Sequence, residues 1–291
     1  MKATTMLDTL RSLLGVPAYA IPLSVCRIGR KYLLDKADIP LSGTAILLAL
    51  PYLMTEDVEA EGRNLSLYAV PRDYHGYVKE LEAAVLPSLR ELYPNNRFAI
   101  FADHSPIAEV DAAARAGIGV LGMNSLLITP EYGSFLFIGE IVTDLDYVSV
   151  TGEPVPEFPD TPPTCEGCGL CLKACPMGCV NGDRTSCLSA LTQKKGALTE
   201  DEQKAILSGG LVWGCDACQL ACPHNRRVIA QGIDTPLPYF REARAVSVST
   251  SLLNAMDSEA FAARAYAWRG KAVIVRNTQL LEEHTDERRT P

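Results

Sequence analysis

GCDACQLACPHN, Gly214 to Asn225, carries Cys215, Cys218 and Cys222, with Pro223 behind the last. A C-x2-C-x3-C-P run is one thiolate short of the four that hold a 4Fe-4S cubane, so a ligand must come from elsewhere. Upstream, CEGCGLCLKACP supplies Cys165, Cys168, Cys171 and Cys175 with Pro176 behind them. That is the full run of bacterial two-cluster ferredoxins, in which the fourth cysteine points away and ligates the neighbouring cluster. Cross-ligation therefore assigns Cys222 to the cluster of Cys165, Cys168 and Cys171, and Cys175 to the cluster of Cys215 and Cys218. Cys187, in DRTSCLSAL, stands where a second motif would begin and is assigned as the remaining ligand. Two alternatives stay open: Cys179 could compete for that role, and paired C-x2-C elements alone would also suit tetrahedral zinc. Cys26, alone in an apolar stretch, reads as a packed core thiol.

Working outward, the chain has 291 residues, 47% of them hydrophobic, enough for one large domain or two modest ones. The longest apolar run, TAILLALPYLM, is interrupted by Pro51 and too short to span a bilayer. The amino terminus lacks the form of a secretion signal, so a cytoplasmic protein is expected. There its ten cysteines stay reduced, and crowding all but Cys26 into Cys165 to Cys222 argues for metal ligation rather than disulfides. A net charge of -8 leaves no global positive field to draw the chain onto nucleic acid.

The expected fold class is α+β: an α/β layer domain over 1–150, a linker over 151–164, a two-cluster ferredoxin-like module over 165–226, and a helical segment over 227–291 that packs back on the core. The patterning predicts strands over 43–53, 64–69 and 97–103, and a helix over 74–93. In SPIAEVDAAARAG, Ser105 is placed to cap a helix, with Pro106 at its first position and Gly117 past its end. SLLIT and SFLFIGEIVTDL, separated by PEYG, read as an antiparallel pair. Five prolines within 151–164 make that stretch too stiff and donor-poor for a helix or central strand. The charged last ten residues read as frayed.

Two low-potential clusters, working near about −400 mV, form a path that delivers single electrons to something hard to reduce. The acceptor site is expected in the first 150 residues. AGIGVLG matches G-x-G-x-x-G, but its glycines follow a helix and precede a strand, the reverse of a dinucleotide turn, so a close backbone approach is the better reading. Asp103 ends the strand FAIFAD before a helix that Ser105 already caps; a partly desolvated carboxyl there suits a proton donor, and a turn former is the plainer reading. RDYH, 72–75, is a functional loop or a helix start, and His104 and His224 read as surface or helix-end residues.

Together these blocks resemble the cobalamin-dependent epoxyqueuosine reductases of tRNA modification. The resemblance rests on YAVPRDYH, DHSPIAEVDAAARAGIGVLGMNSLLI, GSFLFIGEIVTDL, both cysteine runs and EAFAARAYAWRGKAVIVRN, most of residues 44 to 278. It implies a corrinoid-binding domain joined to a two-cluster ferredoxin module, with base-off cobalamin held between them. An aspartate at the position of Asp103 would protonate the epoxide oxygen. The corrinoid contacts implied are Ser66, Tyr74, His75, Asn124, Leu127, Ile138 and Glu140. The cluster ligands implied are Cys165, Cys168, Cys171, Cys175, Cys187, Cys215, Cys218 and Cys222. The partners implied are a tRNA anticodon stem-loop and an external low-potential donor such as flavodoxin or ferredoxin. The chain departs from the family at Val70-Pro71, usually Arg-Gly, at Val110, usually Arg, and at Met123, usually Lys. Family members also often continue into a helical repeat domain that helps hold tRNA. Loss of three basic side chains removes phosphate contacts. The competing expectations are therefore the same cofactors acting on a non-tRNA substrate, or an electron carrier with a vestigial corrinoid site.

Overall fold

The computed structural model describes residues 5–180 and 182–289, with side chains described to His284. Its backbone falls into two compact units, Met1–Pro51 with His75–Gly167, and Tyr52–Tyr74 with Cys168–Pro291. The division differs from a cut near residue 150, because Tyr52–Tyr74 groups with the cysteine-rich half.

The first unit is a sheet layer. Helix α1 (Met6–Leu14) opens with a capping box between Thr5 and Asp8 and ends at Gly15 in the left-handed region. Strand β1 (Ala18–Pro22), helix α2 (Lys31–Ala37) and strand β2 (Thr44–Pro51) follow. The long helix α3 (Tyr74–Leu92) is predicted almost to the residue; it buries Leu81, Val85, Leu86 and Leu89 on one side and tolerates Pro87 inside it. Strand β3 (Phe98–Phe101), helix α4 (Glu109–Arg115), the short strands β4 (Val120–Leu121) and β5 (Leu127–Ile128), strand β6 (Leu136–Thr143) and helix α5 (Tyr147–Thr151) complete it.

The sheet order is β1-β2-β6-β3, and every pairing is antiparallel, which makes the unit α+β in type. One register row runs Leu47, Glu140, Phe101 across β2, β6 and β3. Side chains of this alternation (Ala45, Leu47, Ala49, Val142) meet the three alanines Ala112, Ala113 and Ala114 of α4 in one buried cluster. Small residues let α4 lie close to the sheet.

Several expectations are corrected. SLLIT does not pair with the following strand: β5 pairs with β4, and the PEYG turn closes only a bridge between Thr129 and Gly133. Strand β6 instead sits between β2 and β3, where both its edges are satisfied. The segment 64–69 is not a strand but a bridge at Leu65 followed by a 3-10 turn over Leu67–Ala69. Ser105 does not cap α4, whose cap residue is Ala108; its hydroxyl is committed to Glu140 of β6. The Pro-rich stretch forms no regular element beyond Thr151, yet it is fastened: Phe158 packs on the core cluster and Arg115 Nε donates to the Pro159 carbonyl at 2.7 Å. The glycine run makes the expected close approach, since a Cβ on Gly119 would stand 2.2 Å from the Ile128 carbonyl oxygen.

The second unit is helical: α6 (Leu170–Ala174), α7 (Leu188–Thr192), α8 (Glu200–Gly209), α9 (Ala217–Leu220), α10 (Pro223–Ala230), α11 (Pro238–Arg241), α12 (Thr250–Ala255), α13 (Ser258–Ala262) and α14 (Lys271–Arg289). Its core surrounds Trp213 and Tyr266, which meet edge-on with ring centres 6.2 Å apart. The carboxamide of Asn277 on α14 donates to the carbonyls of Thr192 and Val212, tying the tail to α7 and to the approach to the second cysteine run. The helix backbone continues through Arg289, so fraying does not begin at residue 282; 290–291 lie outside the described residues. Among the described residues no helix is long and apolar enough to cross a membrane.

Candidate functional site

The two cysteine runs fold into matching pieces. In each, a short helix carries the second-from-last cysteine of the run, the last cysteine follows the helix, and a proline follows that cysteine. Cys171 lies on α6 and Cys175 caps its carboxyl end; Cys218 lies on α9, and Cys222 caps α10 with Pro223 at its first position. Helices α6 and α9 pack on one another. Cys187 is the residue before α7, delivered by a 3-10 turn that Asp183 caps.

All ten cysteines are free thiols, Cys168 exposed and Cys179 buried. The thiols of Cys215, Cys218 and Cys187 lie within electrostatic range of one another, and burial pushes Cys215 up to about 11. Cys175 and Cys179 Sγ are 3.4 Å apart, and Cys187 also reaches Cys179. The structure thus brings Cys175, Cys187, Cys215 and Cys218 into one neighbourhood and places Cys179 there too. Among the described residues no three His, Cys, Asp or Glu side chains converge as ligands of a single ion. A cubane asks for something else, because each thiolate binds a different iron. The donor set of soft, reachable thiols at helix ends fits such a group.

The loop before α9 is braced from within its unit. Asp216, between Cys215 and Cys218, is 2% exposed and accepts from Arg63 Nη1 at 2.7 Å and from the Leu67 amide at 3.1 Å. Gly214 has φ +79, and a Cβ there would stand 2.0 Å from Ser66 Oγ. Ser66 is therefore packed beneath the second cysteine run.

In the sheet unit, Asp103 follows β3 as expected and is exposed, but its backbone is left-handed, with φ +61. Its amide donates to Glu109 Oε1 at 2.9 Å, from the first residue of α4. His104 Nε2 lies 2.7 Å from the Tyr32 hydroxyl, and Arg30 Nη1 donates to the Ser105 carbonyl at 3.3 Å. Ser105 Oγ sits 2.7 and 2.8 Å from the two oxygens of Glu140, and it accepts the Ile107 amide at 3.0 Å.

The raised carboxyls of this region are Glu109 and Glu140. Burial, then the charge of Asp103, lifts Glu109 to about 7 against the pull of the Asp103 amide, Arg30 and His75. Burial, then the charge of Glu109, holds Glu140 well above the usual carboxylate range, with Ser105 pulling the other way. Glu109 went unremarked in the sequence, since an acid in the first turn of a helix is commonplace. Cys26 behaves as a core thiol, half-buried against the same cluster and pushed up to about 12, first by burial and then by Glu140.

Of the residues singled out for a corrinoid, His75 is exposed, and Tyr74, Asn124 and Ile138 are half-buried. Ser66, Leu127 and Glu140 are buried. Leu136, Ile138 and Phe101 form a half-open apolar row beside the core cluster, on the alternation that contains Glu140. An apolar ring edge fits such a row. Among the positions that depart from the family, Val70 is fully buried and Val110 packs on the core cluster, while Met123 is half-buried.

Residues 164–225 match the family described as a 4Fe-4S double cluster binding domain. The chain is 36% identical over 258 residues to the epoxyqueuosine reductase of Listeria monocytogenes, covering 83% of this chain and 64% of that one. With the epoxyqueuosine reductase of Bacillus subtilis it shares 31% over 277 residues, 89% of this chain and 66% of the relative. The chain thus spans somewhat less than two thirds of the length of these relatives. Among solved structures, epoxyqueuosine reductase from Streptococcus thermophilus superposes with a TM-score of 0.71 at 23% identity, covering 97% of this chain and 81% of that one. An epoxyqueuosine reductase with an epoxyqueuosine-modified tRNA-Tyr stem loop gives 0.69 at 24%, covering 96 and 80%. With a double-cluster domain at the expected residues and identity running through most of the chain, this protein belongs to the epoxyqueuosine reductase family.

Proposed function

We propose that the chain is a reductase that removes the oxygen of an epoxide, most specifically that of epoxyqueuosine in a tRNA anticodon stem-loop. The stem loop comes from the related protein whose structure contains one. The reaction consumes two electrons and two protons and leaves an alkene and water. A base-off corrinoid, fed by two 4Fe-4S clusters and an external low-potential donor, would supply the electrons. The first cluster takes Cys165, Cys168, Cys171 and Cys222; the second takes Cys175, Cys187, Cys215 and Cys218. Of the residues implied for the corrinoid, His75, Asn124 and Ile138 are exposed or half-buried in the sheet unit and would be open to it, as would the half-buried Tyr74, whereas Ser66, Leu127 and Glu140 are buried.

The observation that carries the reading is Asp103. A carboxyl at the end of a sheet strand, exposed and held by a bonded loop, can give a proton to a leaving oxygen. The Tyr32 hydroxyl of α2, 2.7 Å from His104 Nε2, ties the neighbouring residue of that loop to a helix. The test uses protein loaded with iron, sulfide and cobalamin under anaerobic conditions. Wild type should convert an epoxyqueuosine-containing stem-loop, and Asp103→Asn should lose turnover while its iron content and cobalamin absorbance stay unchanged. Unchanged turnover in Asp103→Asn would sink the assignment.

A second reading keeps the chemistry and changes the substrate. Val70 and Val110 favour it, because apolar positions packed in cores replace two of the basic side chains usual in the family. It predicts turnover of the free epoxide nucleoside at a rate equal to or above that of the stem-loop.

A further inference from the structure

Asp103 is one of four non-glycine residues with positive φ among those described. That region is costly for an L-residue, less so for Asp than for most, and here the His104 amide also donates to the Ala102 carbonyl across the turn. Glu109 is the side chain placed to hold the turn. It is the first residue of α4, yet it does not serve its own helix, whose cap Ala108 makes no side-chain bond. It reaches back six residues to the Asp103 amide instead. An acid at a helix start is ordinarily solvated, whereas this one is half-buried close to the carboxyls of Asp103 and Glu140. A position so unfavourable for charge is poor for stability and needs another reason to hold a carboxyl.

We propose that Glu109 is the positioning residue for Asp103: its carboxyl oxygen accepts the Asp103 amide, and so holds the left-handed turn that keeps the Asp103 side chain exposed at the end of β3. The catalytic half of this statement rests on the proposed role of Asp103; the structural half does not. What matters is an acceptor oxygen at the right reach, not a negative charge.

Two substitutions separate acceptor from charge. Glu109→Gln keeps the length and an acceptor oxygen but removes the charge. Glu109→Asp keeps the charge and suits a first helical turn, but its carboxyl falls one methylene short. Amide exchange of the loaded protein, read by mass spectrometry on peptides covering 99–108, should stay within threefold of wild type in Glu109→Gln and rise at least tenfold in Glu109→Asp. Peptides covering β6 should exchange as in wild type in both variants, which shows that the sheet is intact. Turnover should follow the same order, with kcat falling and KM unchanged in Glu109→Asp and both preserved in Glu109→Gln. Rapid exchange in Glu109→Gln with protection in Glu109→Asp would make the charge the agent and overturn the proposal, as would wild-type protection in both. The exchange arm needs no substrate. If protection follows the predicted order and turnover does not, positioning stands and the role of Asp103 as proton donor fails.

Discussion

Glu109→Gln also makes a quantitative prediction about pH. In the folded protein the carboxyl is lifted from 4.5 to about 7, chiefly by burial. Because the folded pKa lies above the unfolded one, the folded state holds its proton more tightly. The contribution is present in full below pH 4.5 and disappears as the pH rises through 7. At 1.36 kcal/mol per decade, the two values imply about 3 kcal/mol in full, and about 2.5 kcal/mol of it is lost between roughly pH 5 and pH 8. The half-buried position of the side chain makes this a ceiling. A glutamine does not titrate, so the variant should be flat where wild type falls. The opening free energy of the α4 amides, from native-state hydrogen exchange corrected for the intrinsic pH dependence of exchange, reads the difference locally. Comparing the two proteins at the same pH cancels the titration of shared groups remote from this site. Glu140 is coupled to Glu109, and once the neighbouring charge is gone its own carboxyl should move down toward the ordinary range. Parallel pH curves for wild type and Glu109→Gln would refute the placement of a desolvated carboxyl at this position.

Three further outcomes are expected. Cys187→Ser should halve the iron bound per chain and abolish one of two cluster signals in the electron paramagnetic resonance spectrum, whereas Cys179→Ser should leave both intact; the opposite pattern would make Cys179 the ligand. Asp216→Ala strips the partner from the largely buried Arg63 and the acceptor from the Leu67 amide, and should cost about 3–5 kcal/mol, measured by chemical denaturation of the loaded protein. Gly119→Ala should cost about 1–3 kcal/mol, because its Cβ would meet the Ile128 carbonyl, a backbone atom that cannot rotate away, and a neutral effect on thermal unfolding would contradict that packing.

What could be read from the residues divides along the range of the interactions involved. The cysteine runs were legible because cubane ligation is written in spacings of three and four residues, and α3 because its apolar stripe repeats within itself. The readings that failed turned on partners distant in sequence. Ser105 has the form of a helix cap, but Glu140 lies 35 residues away and claims its hydroxyl. SLLIT and the strand after it look like a hairpin because a turn joins them, yet β6 finds two longer partners in β2 and β3. The candidate site shows the same division within a single hydrogen bond. Asp103 stood out as a polar residue ending a strand; Glu109 did not, because nothing local marks an acid that turns away from its own helix. The left-handed φ at Asp103 links the two, since the turn is costly for an L-residue and the side chain that bonds its amide belongs to the residue a sequence pattern assigns to the helix start. The chemistry proposed for this chain therefore depends on a carboxyl visible in the sequence and on a second one that only the folded backbone brings to it.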